Sequence, residues 1–156
     1  MKAEGGFTLV EILIVVVILG ILAAIVIPQF TEASTEAKES RLMTDLQSVR
    51  QQIELYKIQH NDFLPGTQGM VDFVTALISR TDQDGVVQAA PGPGIYGPYL
   101  QKIPTNPWNM LNTVGTNGAA GAGDNTHGWE FEPATGHFCA DDDKLCSDDV
   151  TPHTDL

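Results

Sequence analysis

The strongest constraint in this chain is the run Phe7–Ile27, whose single charged residue is Glu11. As a helix it reaches about 32 Å at about 1.5 Å per residue, against a bilayer hydrocarbon core of about 30 Å. From Ile12 to Ile27 the run holds nothing but Ile, Val, Leu, Ala and one glycine, Gly20. A carboxylate in hydrocarbon costs about 2.5–3.5 kcal/mol even on a lenient insertion scale, so Glu11 needs a partner or a proton. A plain single-pass anchor with a tolerated acid near its end leaves that cost unexplained.

The residues ahead of the run, MKAEGG, carry Lys2 and Glu4 and no apolar stretch. A secretory signal is cut after its apolar region; here the cut falls before it and the anchor survives. Cleavage after Gly6 makes Phe7 the first residue and creates an α-amine four residues from Glu11. Within one helix the two groups meet across a turn, and between staggered helices the same pairing sets a register.

The stretch GFTLVEILIVVVILGILAAIVIPQF resembles the N-terminal signature of type IV pilins and type II secretion pseudopilins. Gly6 precedes the cut, Phe7 opens the mature chain, Glu11 is its fifth residue, and Gly20 and Pro28 follow. The resemblance implies cleavage after Gly6 and N-methylation of Phe7 by a prepilin peptidase. It also implies packing of the subunit with copies of itself into a helical filament through Phe7 and Glu11. The implied setting is a single pass through the lipid of a bacterial inner membrane, with the head in the periplasm. An inner-membrane assembly platform and minor pilins or pseudopilins are the implied partners, and the filament is periplasmic or extracellular. Pro28 removes a backbone donor and clashes with the carbonyl four residues earlier, so a kink or opening is expected near Ala24, with Gly20 weakening the turn before it. In the resembling filaments this stretch can melt during packing.

After Pro28, apolar or small residues recur at Ala33, Ala37, Leu42, Leu46, Val49, Ile53 and Tyr56, the spacing of an amphipathic helix. Asn61, Asp62 and Pro65-Gly66 place its end near His60. The expected division is therefore a leader at 1–6, an anchor and assembly helix at 7–28, an amphipathic helix at 29–60 and a head at 61–156. The head's length suits an α+β fold, a long helix packed on a small antiparallel sheet. Met70, Phe73, Val74, Leu77 and Ile78 predict a short second helix. Tyr99, Leu100 and Ile103 predict a strand, and residues 115–125 a flexible loop. Trp129-Glu-Phe131 and His137-Phe-Cys139 flank a Pro133–Gly136 turn and predict a hairpin whose aromatic residues pack on the long helix. The segments LPGTQGMVDFVTAL and GPYLQKIPTNPWN are similar to the region after the long helix in major pseudopilins of type II secretion. The tail departs from the calcium-loop pattern usual there, and its cysteine-closed end is more like that of major type IV pilins.

With 8 Lys+Arg against 20 Asp+Glu, the formal net charge of -12 repels phosphate backbones and makes nucleic acid a poor partner, so none is expected. Cys139 and Cys146 stand at a spacing that suits a local disulfide in an oxidising compartment; a redox-active pair lacks the C-x-x-C spacing. Asp141, Asp142, Asp143, Asp148 and Asp149 have the oxygen density for Ca²⁺. Leu145, however, occupies a position where an EF-hand needs a ligand, and a solvated acidic loop fits the order better. His60, His127, His137 and His153 lack zinc spacing and are expected on the surface or hairpin. No H-E-x-x-H, G-x-S-x-G or G-K-[ST] string is present, so nothing supports enzymatic activity. The expectation is a structural filament subunit, a type II secretion pseudopilin in protein export ahead of a pilus subunit for adhesion, motility or DNA uptake. A rival from another class is a monomeric, membrane-anchored calcium- or ligand-binding module.

Overall fold

The computed structural model describes residues 6–68, 71–92, 94–116, 123–143 and 151–156. The chain divides into two compact units, Met1–Ala37 and Lys38–Leu156, and helix α1, Leu9–Gln59, begins in the first and ends in the second.

In the first unit the large apolar side chains from Phe7 to Ile27 are all more than half exposed. A helix that is apolar all round and uncovered matches lipid, and α1 is long and apolar enough to cross a membrane. Helical structure continues through Gly20 and Pro28, so neither residue ends α1. Just past the proline, Thr31 Oγ1 donates to the Ile27 carbonyl at 3.1 Å, and Thr35 Oγ1 to Thr31 at 3.1 Å. Ala33 and Ala37 are exposed, so the buried stripe starts later than the periodicity suggests.

In the second unit that stripe is Leu42, Leu46, Val49, Ile53 and Tyr56, each at most 1% exposed. Its alternating steps of four and three keep one face of α1 toward the core. Opposite it stand Phe73, Ala76 and Leu77 of α2 (Phe73–Ile78), Ile103, and the sheet residues Trp129, Phe131, Phe138 and Ala140. The start of α2 is fixed by Asp72, which accepts from Thr75 N at 3.0 Å and Thr75 Oγ1 at 2.7 Å. Gly66, at φ +79°, lets the incoming chain pass against the Phe73 backbone, where a Cβ would meet Phe73 N at 2.8 Å.

A two-stranded sheet pairs β1 (Thr81–Asp82) with β2 (Ile95–Tyr96) antiparallel. A second sheet has the order β3 (Val114–Gly115), β4 (Trp129–Phe131), β5 (Phe138–Ala140). The expected hairpin is present as β4 and β5, with Trp129 opposite Ala140 and Phe131 opposite Phe138. Gly136, at φ +80°, closes its turn by donating to the Glu132 carbonyl at 2.8 Å. Two expectations need correction. The sheet is mixed, because β3 runs parallel to β4, and Gly115 belongs to a strand instead of a loop. Tyr99, Leu100 and Ile103 form no strand: the Tyr99 and Leu100 amides both donate to the Leu77 carbonyl, at 2.9 and 3.0 Å, and satisfy the end of α2.

His60 and His153 are fully buried, against the surface position expected for them. At the end of α1 the His60 ring stacks on Tyr56 at 3.7 Å. Nδ1–H donates to the Tyr56 carbonyl and Nε2 accepts from Thr81 Oγ1, both at 2.9 Å. Desolvation holds the His60 pKa below its usual value. The folded state therefore keeps this ring neutral while the unfolded chain takes up a proton below about pH 6.5. Denaturant titrations should show head stability falling as pH drops from about 6.5 toward the depressed folded value, then levelling, with that component absent in His60→Gln. In the same assay Leu46→Ala should cost about 2–5 kcal/mol, the range for emptying a filled aliphatic site.

Candidate assembly site and the polar frame of the head

The start of α1 is a reciprocal capping box. Thr8 Oγ1 accepts from Glu11 N at 3.2 Å, while Glu11 Oε2 accepts from Thr8 N at 2.8 Å and from Thr8 Oγ1 at 2.7 Å. The acid that is anomalous in an apolar run thus satisfies a helix-terminal donor that lipid would leave bare. The pattern T-x-x-E ahead of an apolar stretch announces such a box in the sequence itself. Gly6 and Phe7 precede it, both exposed, with open space around Gly6. Only Oε2 is used by Thr8; Glu11 Oε1 carries no hydrogen bond among the described residues.

The head has its own polar frame, built by two asparagines of the Pro104–Asn109 segment that spacing alone does not single out. Buried Asn106 donates through Nδ2 to the Gly128 carbonyl at 2.9 Å and to Asp142 Oδ2 at 2.8 Å. Asn109 donates through Nδ2 to the His127 carbonyl at 2.6 Å and the Asp141 carbonyl at 2.8 Å. Together they brace the entry to β4 against the exit from β5.

Asp141 and Asp142 then serve separate partners. Fully buried Asp141 accepts from the Gly123 and Asp124 amides on Oδ1, at 2.7 and 3.0 Å, and from the His127 amide on Oδ2, at 2.8 Å. Asp142 Oδ1 lies 2.6 Å from Nδ1 of His153, whose ring rests 5.0 Å from that of Trp108. Asp143 is exposed, and Asp148 and Asp149 lie outside the described residues. Among the described residues one group of potential metal ligands forms, from His127, Glu130 and Asp141 within 4.8 Å. A cation there competes with three amides for Asp141. Glu130 is 1% exposed, although strand alternation would turn it outward. Cys139 is a buried free thiol whose Sγ lies 3.9 Å from the Glu130 carbonyl, and burial pushes its pKa up to about 11. Cys146, its expected partner, lies outside the described residues.

A helix long and apolar enough to cross a membrane, capped at its start by one acid, together with an α+β head, is the pattern of the prepilin class, and residues 1–27 match the prokaryotic N-terminal methylation motif. Over 147 residues the chain is 29% identical to type II secretion system core protein G of Aeromonas hydrophila, covering 84% of this chain and 96% of that protein. It is 31% identical to the Pseudomonas aeruginosa protein of the same name over 140 residues, 80% of this chain and 92% of that one. The chain belongs to the type II secretion system core protein G family. No solved structure matches it.

The carboxylate of Asp141 is the acceptor that orders the approach to β4. Asp141→Asn turns an N–H₂ toward backbone donors, and charged hydrogen bonds are worth about 1.5–3 kcal/mol each. The substitution should lower head stability by at least about 2 kcal/mol in chemical denaturation and deprotect the Gly123, Asp124 and His127 amides in hydrogen exchange.

Proposed function

We propose that this chain is a pseudopilin, the repeating structural subunit of a type II secretion filament that acts in protein export. One observation carries the proposal: the only charged group in an uncovered, wholly apolar anchor is held at the helix start by Thr8 with one oxygen left over. Family membership supports the same role.

In this mechanism a prepilin peptidase cuts between Gly6 and Phe7 and methylates the new terminal nitrogen. Thr8 N is a backbone amide before and after the cut, so the capping box survives processing. Oε2 stays with Thr8, and Oε1 accepts from the terminal amine of Phe7 in a neighbouring copy. That contact neutralises the acid in the low-dielectric interior of a helix bundle and fixes the stagger between subunits. Until assembly, residues 7–28 hold the subunit in the inner membrane with its head in the periplasm, and Gly20 and Pro28 supply the place where α1 bends or opens during packing. Cys139, a free thiol in this structure, is available to pair with Cys146 on oxidation in that compartment, and such a disulfide would restrict the unfolded tail. The assembly platform and the minor pseudopilins complete the set of partners. The role is structural and needs no catalytic residue.

Two measurements test this reading. Mass spectrometry of the mature protein should find Phe7 first and N-methylated. Glu11→Val should abolish filament yield after shearing and pelleting while membrane insertion persists, because an apolar residue inserts more readily than the acid. Wild-type filament yield from that variant would overturn the assembly mechanism, and an ordinary monomeric anchor would then account for the helix.

A further inference from the structure

Strand alternation turns Trp129 and Phe131 into the core and Glu130 to the other face of β4, yet Glu130 is 1% exposed. It stands beside Gly115 of β3 in the parallel ladder, with His127 and fully buried Asp141 close by. These three side chains bring one ligand atom each to within 4.8 Å of one another. Room for the group depends on Gly115: a Cβ at that position would collide with Glu130 Oε2 and come within 2.9 Å of His127 Nδ1.

The backbone that carries the three ligands is held from several sides. Asn109 binds the carbonyls of both His127 and Asp141, and Glu130 lies in the central strand of its sheet. Asp141 Oδ1 accepts two amides, but Oδ2 accepts only that of His127. Oδ2 therefore keeps a lone pair, 3.9 Å from His127 Nδ1. The Thr126 hydroxyl, which donates to Asp124 Oδ1 at 2.6 Å, also meets Nδ1 at 2.9 Å and has to release it for a metal to bind. The His127 side chain is 33% exposed, so its proton can sit on Nε2 and leave Nδ1 as the ligand. Two carboxylates buried this close repel each other, and a divalent cation between them turns that repulsion into attraction.

We infer that His127, Glu130 and Asp141 bind a divalent transition-metal ion such as zinc, which clamps the approach to β4 against the exit from β5. One imidazole nitrogen, two carboxylate oxygens and a fourth position for water suit zinc, whereas calcium calls for about six to eight oxygens. Ligand atoms about 2.0–2.2 Å from zinc stand about 3.4 Å apart in a tetrahedron, so the widest pair closes by about 1.4 Å on binding. The site belongs to the single subunit and does not depend on polymerisation.

The test uses the full-length, membrane-derived chain in detergent, stripped with EDTA, then titrated with ZnCl₂ by calorimetry and melted. One zinc should bind per chain, and the head's Tm should rise by at least about 5 °C at about a hundred times Kd. Glu130→Gln and His127→Gln should each bind at least roughly tenfold more weakly and lose that rise, with their melting in EDTA controlling for folding. Cys139→Ala should keep it. Hydrogen exchange on the wild type locates the ion without any variant: zinc should add protection at the amides of His127, Glu130 and Asp141. Absence of saturable zinc binding overturns the inference, as does protection that rises elsewhere and not at these amides. Loss of binding in Cys139→Ala with retention in Glu130→Gln places the metal on thiols and overturns it too. So does an equal rise with CaCl₂ that His127→Gln leaves intact, which assigns the cation to the acidic tail.

Discussion

One helix has to satisfy two solvents, and the rest of the chain is arranged around that requirement. Through its first half α1 is apolar on every side, a surface that only lipid or other helices can cover. From Leu42 to Tyr56 it is apolar along one stripe, which the head covers. The change of pattern divides labour: the first half offers a surface suited to lipid or to other helices, and the second supplies the wall against which a small domain builds its core. Trp129, Phe131 and Phe138 matter for the same reason, because short strands cannot form an interior without that helical wall.

Polar groups then do at the ends what apolar groups do along the length. At the start of α1, Thr8 and Glu11 satisfy each other, so a helix terminus in a low-dielectric setting is not left with bare donors. In the head, Asn106 and Asn109 tie their own segment to the backbone at the end of the β4–β5 ladder, at Gly128 and Asp141, and Asp141 and Asp142 draw in a loop and the 3-10 turn at His153–Asp155. Each of these carboxylates is buried with its donors already in place. The acidic tail thus includes residues that organise the interior as well as residues that face water.

Much of this is legible in the sequence, for identifiable reasons. The anchor, the amphipathic stripe and the Trp129–Ala140 hairpin follow from periodicity and turn chemistry, which are local and survive any tertiary arrangement. Glu11 stands out because its cost in lipid is large, although its nearest partner is Thr8, three residues back, where the amine of Phe7 is the more conspicuous candidate. The failures share a cause. His153 is buried by Asp142 and Trp108, and Tyr99 is drawn to Leu77; neither partner can be chosen from spacing, because the decision lies in contacts between distant segments. The parallel β3–β4 pair is invisible for the same reason, since two residues of strand carry too little pattern to reveal direction.

That parallel pair also governs what the molecule can tolerate between its two strands. Antiparallel neighbours can be joined by a two-residue turn, whereas parallel neighbours need a return path of about a dozen residues. The run from Thr116 to Gly128 is of that length, so its abundance of glycine and alanine should not be taken for dispensable filler. Trimming it would deny β3 its place beside β4, while lengthening it adds only a slowly growing entropic charge. This makes the stretch a one-way valve for evolutionary change: foreign peptides can be spliced in, but material cannot readily be taken out.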